Sequence, residues 1–157
     1  MQLPSLAEIK KELKTLDDKQ LIEVIIDLSK FTRDNKAYLY FRLFEKENHR
    51  LFIEMVEEEL EGQFQNANTK NYFVAKKSAQ AIRRKLNKNL KLTKDKTAQI
   101  ELIAYFCQQI RANGYLGFHH PVIKNLYQAQ IRKMEKLIAG LHEDLQYDYR
   151  EMISSLK

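Results

Sequence analysis

The chain has 157 residues, 44% hydrophobic and 31% charged, with a net charge of +6 and an isoelectric point near 9.3. Its one cysteine, Cys107, excludes an internal disulfide, and no run approaches the ~18 consecutive apolar residues of a membrane span. Four glycines and two prolines are few for this length, so long helices with short joints are expected rather than a sheet or a disulfide scaffold.

Ser5 followed by Glu8 fits a capping box, in which each side chain closes a free backbone amide at a helix start. Leu6, Ile9, Leu13 and Leu16 then share one face, with Lys10, Lys11, Glu12 and Lys14 outside. The start, MQLPSLAEIKKELK, reaches charge early and has no apolar h-region, so a cytoplasmic protein without a signal peptide is expected.

Leu16 to Phe31, LDDKQLIEVIIDLSKF, is the most apolar amphipathic stretch, with Asp17 or Asp18 as cap. Its polar positions Glu23, Asp27 and Lys30 make one narrow stripe, so the helix is expected to be covered on most sides as the hub of the fold. A short joint should let it pack against the first helix as an antiparallel hairpin.

Thr32 to Lys36 is a polar break. Ala37 to Phe44, AYLYFRLF, is rich in strand formers but does not alternate, and it is assigned to a helix. His49 to Gln65 follows, with Phe52, Val56, Leu60 and Phe64 inward and Glu54, Glu57, Glu58, Glu59 and Glu61 outward. QNANTK, Gln65 to Lys70, is the clearest loop, and charge reverses across it.

The helix from Asn71 to Lys91 places Tyr72, Ala75, Ala79, Ile82, Leu86 and Leu90 on one face. Thr93 or Asp95 caps the next, Ala98 to Ala112, with Ile100, Ile103, Phe106, Cys107 and Ile110 inward. Gly114 suits the left-handed closing position, and Pro121 the first turn of the helix that ends near Gly140. Ile123, Leu126, Tyr127, Met134, Leu137 and Ile138 form the stripe of that helix. The last helix, Leu141 to Leu156, should bury Leu145, Tyr149, Met152 and Leu156. The expected fold is an all-α single domain over 1–157, a bundle or short stack of seven to eight antiparallel helices.

The pattern Leu13-Lys14-x-Leu16, then Leu21-Ile22-x-x-Ile25-x-Asp27-Leu28, resembles the N-terminal hairpin of a family of small all-helical bacterial proteins of unknown function. The likeness continues through KKSAQAIRRK, Lys76 to Lys85, and departs in the loop after Gly114. It implies a helical bundle or stack, and it brings no catalytic residue with it.

Three groups of residues are candidates for function. Lys76, Lys77, Arg83, Arg84, Lys88 and Lys91 form a basic ridge that can follow a phosphate backbone, unless the acidic Glu54 to Glu61 helix lies beside it and neutralises it. Tyr38, Tyr40, Phe41 and Phe44 occupy more sides of one helix than a single core face takes, which suits an interface with a protein partner or a second copy.

The loop GYLGFHHP gathers Tyr115, Phe118, His119 and His120. A metal shared with His142 or Cys107 lacks the tight ligand spacing of known zinc sites. Cys107 among apolar neighbours is unsuited to attack as a nucleophile. Glu54 and Glu58 have the spacing of converging carboxylates and equally that of a solvated face. No phosphate loop, GxSxG or dinucleotide fingerprint occurs, so no enzyme, cofactor or small-molecule substrate is expected. The expected role is a helical interaction or adaptor module, with nucleic-acid binding through Lys76 to Lys91 as the alternative.

Overall fold

Helix starts in this chain are set by side chains that satisfy the first free amides. The computed structural model describes residues 3–44, 47–48 and 50–157. In it Ser5 Oγ accepts from the Glu8 amide at 3.3 Å, and the Glu8 carboxylate accepts from the Ser5 amide at 2.7 Å, opening α1 (Leu6–Leu13). Asp17 and Gln20 repeat this box at 2.8 and 3.0 Å for α2 (Asp18–Phe31). The break that follows is Thr32 alone rather than Thr32 to Lys36. Its hydroxyl accepts from the Asn35 amide at 3.0 Å and starts α3 (Arg33–Phe44), so AYLYFRLF is helical.

Five further helices follow: α4 (Leu51–Gln65), α5 (Tyr72–Leu90), α6 (Lys96–Ala112), α7 (Pro121–Ala139) and α8 (Glu143–Leu156). Asn71, Asp95, His120 and His142 cap the last four. A short 3-10 turn, Tyr115–Phe118, joins α6 to α7. The described residues are all-α, with no strand among them. The expected start of α4 at His49 lies outside the described residues.

By contacts the chain divides into two units, Met1–Leu43 and Phe44–Lys157. The second unit is organised around α6, which packs on α4, α5, α7, α8 and the 3-10 turn. Ile100, Leu102, Ile103, Ala104, Phe106, Cys107 and Ile110 are all buried, and they point around most of the helix circumference. The other expected stripes hold except at Tyr72 and Leu137, which are half-buried: Phe52, Val56, Leu60 and Phe64 from α4, Ala75, Ala79, Ile82, Leu86 and Leu90 from α5, and Ile123, Leu126, Tyr127, Met134 and Ile138 from α7 are buried. Against expectation Leu145 of α8 is exposed and Tyr149 and Met152 are only half-buried, while Ile153 and Leu156 carry that helix's burial.

Polar contacts index the packing. Lys96 at the start of α6 donates to the Gly140 carbonyl at 2.9 Å, so α6 and α7 run antiparallel. Arg111 donates to the Ser155 carbonyl at 2.6 Å and the Tyr127 hydroxyl to the Leu156 carbonyl at 2.6 Å, closing the last turn of α8.

The first unit reverses the expectation for its central helix. No described residue of 3–43 is buried, and Ile25, Leu28 and Phe31 of α2 are 44%, 53% and 79% exposed. The hairpin of α1 on α2 is not formed by close packing either, since every well-packed helix pair lies among α4 to α8. The reason is supply. A unit on the order of 40 residues has too little chain to wrap an apolar helix on three sides. The hub of the described fold is α6.

This assignment separates two substitutions of equal chemistry. Ile103→Ala should cost about 2–5 kcal/mol in urea unfolding of the full chain, because it opens a cavity in a covered helix. At protein concentrations low enough to hold the chain as single copies, Ile25→Ala should cost under about 1 kcal/mol, because α2 then stays in water. Equal costs would mean that α2 is covered after all.

Candidate functional site

The basic ridge survives in part. Lys77, Arg84, Lys88 and Lys91 are exposed at spacings of seven, four and three, which is one side of α5. The acidic helix does lie beside α5, as their sequence adjacency predicts. Glu59 of α4 takes Lys85 at 2.6 Å and accepts from Asn89 at 2.8 Å. Two expected ridge residues are placed differently. Lys76 stands over the rings of Tyr72 and Phe73 at 5.4 Å each, and Arg83 is half-buried with its Nε unbonded. The exposed strip is therefore shorter than the sequence suggested.

On α3, Tyr38, Tyr40 and Phe44 are exposed and Phe41 is half-buried, with Tyr40 and Phe41 edge to face at 5.6 Å. Phe44 is the first residue of the second unit, while Tyr38, Tyr40 and Phe41 belong to the unit in which nothing is buried. The larger apolar surface of that unit lies on α2, which the sequence had assigned to the interior.

The Gly114 to Pro121 joint is tightly built. Gly114 at φ 74° and His119 at φ 50° both adopt the left-handed region, and they bracket the 3-10 turn. Between them the Tyr115 side chain is driven inward. It is fully buried, its ring sits 6.0 Å from Phe64 edge to face, and its hydroxyl shares a 3.1 Å hydrogen bond with Ser78 Oγ. Burial pushes that phenol above its ordinary range, opposed by the Ser78 bond. Tyr115 is thus a core anchor and not a loop-tip residue, and Phe118 is half-buried beside it.

His120 caps α7 by accepting from the Val122 amide on Nδ1 at 3.3 Å, and its ring stacks on Tyr72 at 3.5 Å. In the neutral ring the proton then lies on Nε2, which becomes a donor. His119, one residue earlier, is exposed.

Beside this joint lies a cleft of about 330 Å³. Tyr115, Leu116, Ile123 and Leu156 supply its apolar walls, and Arg111, His119, His120, Lys124 and Gln128 its polar ones. No carboxylate side chain lines it. Sequence reasoning missed Arg111 and Lys124. Lys124 had a signal, being four residues after His120 and so on its side of α7. Arg111 had none, because it arrives from another helix.

Among the described residues no three of His, Cys, Asp and Glu meet as a metal set. His142 caps α8 and pairs with Asp144 at 3.3 Å, away from the loop histidines. Cys107 is fully buried, and desolvation pushes its thiol up to about 12, so it stays protonated and unreactive. Glu54 and Glu58 are both exposed. Glu54 faces Arg50 at 3.9 Å, as on an ordinary solvated surface.

Comparison with protein-family models, with curated proteins and with solved structures finds no match to this chain, so no relative assigns a role to any of these residues.

The two left-handed residues can be tested as a pair. A Cβ on Gly114 would meet nothing within 4 Å, so Gly114→Ala pays only for its φ and should lower stability by about 1–2 kcal/mol. His119→Gly should not destabilise and should gain up to about 1 kcal/mol, read from thermal unfolding by circular dichroism. A destabilised His119→Gly would show that the imidazole packs in a way that offsets its backbone strain.

Proposed function

We propose that the protein is a non-catalytic helical interaction module that associates with a second copy of itself through residues 3–43. The observation that carries this reading is that three capped helices, α1 to α3, bury no side chain. Caps specify helices locally, yet short helices are marginal in water without an apolar face covered. Thirteen large apolar or aromatic residues of this unit are exposed. Their combined area, on the order of 1,000 Å², exceeds both the ~300–600 Å² largest patch of a monomer and the ~800 Å² per partner of a stable interface.

Two features favour a second copy over another protein. The apolar residues of α2 lie on more than one side of the helix, so a flat surface covers only some of them. Two copies that each contribute three short helices can wrap one another about a twofold axis. The unit also holds eight basic and seven acidic side chains, so like copies meet without net repulsion.

Sedimentation equilibrium of the full chain should give a dimer. Ile25→Glu with Leu28→Glu should weaken it at least tenfold, about 1.4 kcal/mol, while the unfolding of α4 to α8 is unchanged. A monomeric wild type at the highest soluble concentration overturns the reading, whether the surface is bare, docked on its own chain or kept for another protein. A dimer indifferent to the double substitution overturns it equally.

Nucleic-acid binding is the second reading, favoured by the exposed strip from Lys77 to Lys91. That strip is roughly 21 Å long at ~1.5 Å per residue. It should give a salt-sensitive gel shift with duplex DNA or RNA that Lys77→Glu, Arg84→Glu and Lys91→Glu together abolish. No shift of the wild type at low salt removes this reading.

A further inference from the structure

The cleft beside the α6–α7 joint has features that neither the packing of the bundle nor the interaction reading uses. No carboxylate side chain lines it; its polar side chains include Arg111, Lys124, His119, His120, Tyr127 and Gln128. Lys157 also reaches it, but its ammonium is engaged with Glu135 at 2.7 Å. Arg111 and Tyr127 have structural work, since they hold the Ser155 and Leu156 carbonyls of α8. Lys124 and His119 have no such work. Neither side chain makes a hydrogen bond or ion pair among the described residues, although both border an apolar-walled cavity.

Arg111 and Lys124 border the cleft with no carboxylate side chain in its lining, and like charges brought together oppose the compact state. An anion seated among the groups removes that cost. The surroundings suit one. The first turn of α7 faces the joint, so its dipole adds to the field of Lys124 and the imidazoles. The walls formed by Leu116, Ile123, Leu156 and the Tyr115 ring suit an apolar body rather than a bare ion. The cavity volume sits at the lower end of small-molecule sites.

The cleft is also preformed. Tyr115 is anchored in the core, Pro121 fixes the first turn of α7, and His120 is held by its stack on Tyr72 and its bond to Val122. A ligand therefore pays little to order it. His119 holds an unfavourable backbone angle at the rim, and strain of this kind concentrates where a side chain is positioned for contact.

We infer that this cleft binds a small phosphomonoester with an apolar or aromatic body, its phosphate held by Lys124 and His119 and its body against Leu116, Ile123 and Leu156. A compact dianion is favoured because the uncommitted lining donors, the Lys124 ammonium and the imidazoles, are point-like, while the one guanidinium fork is already committed to Ser155.

The test is a titration of isotope-labelled full-length protein with phenyl phosphate, inorganic phosphate and benzoate, followed by amide chemical shifts at constant ionic strength. Phenyl phosphate should shift the amides of residues 119–124 saturably, and it should bind at least tenfold more tightly than either of the other two probes. Lys124→Glu should weaken it at least tenfold and His119→Gly several-fold, with unchanged circular dichroism. Lys77→Glu, on the separate strip of α5, should leave it unaltered. No saturable shift, equal binding of benzoate, or equal loss in Lys77→Glu and Lys124→Glu each overturns the assignment. Both test positions are exposed, so loss of fold does not mimic loss of binding. They lie outside residues 3–43, so the result is independent of self-association.

Discussion

The need to cover α6 on nearly every side governs the second unit. A helix whose buried residues point around its circumference must be enclosed, because each apolar side chain left in water forfeits roughly 1.5–3 kcal/mol. Enclosure takes four neighbours, and α4, α5, α7 and α8 supply them. Ala98 and Ala104 keep parts of the α6 surface low enough for close approach. The joints are then dictated by where those neighbours must begin. The chain leaving Ala112 has eight residues in which to reverse into α7. It does so through two left-handed residues and one inward tyrosine. The cleft, with its positive lining, is a by-product of that reversal.

α2 and α6 show what a sequence conveys and what it withholds. Both have apolar residues at helical spacing with a thin polar stripe, and on periodicity alone α2 is the more apolar. Whether such a helix is enclosed depends on the surfaces offered by the rest of the chain, and periodicity carries no information about those. Capping is different. Ser5 with Glu8 was legible outright, and the alternatives Asp17 or Asp18 and Thr93 or Asp95 each contained the residue that caps, because a cap bonds residues two or three positions away. Helix starts are local facts, and burial is not.

The same division runs through the candidate sites. The joint from Gly114 to Pro121 could be recognised from its glycine, proline and paired histidines, since each of those residue types constrains its own backbone. The inward course of Tyr115 was not legible, because it is decided by Ser78 and Phe64, which are distant in sequence. Nor was the arrival of Arg111 beside Lys124. The pairing of the basic helix with the acidic one lies between these cases. A short loop made them neighbours, so that some neutralisation was expected, but only geometry shows that Glu59 takes Lys85 and that Lys77 and Arg84 stay in water.

The contact between Lys96 and Gly140 has a reach beyond its own strength. An ammonium at the first turn of α6 is poorly placed for its own helix, whose amino end is already positive, and well placed for the carboxyl end of α7. The bond therefore exists only in one register. Sliding either helix by a single turn, about 5.4 Å, would leave the ammonium against a like-signed helix end with no carbonyl to meet. Apolar stripes alone tolerate such slippage, since one leucine replaces another at the next rung. This lysine acts as a notch between two otherwise interchangeable surfaces.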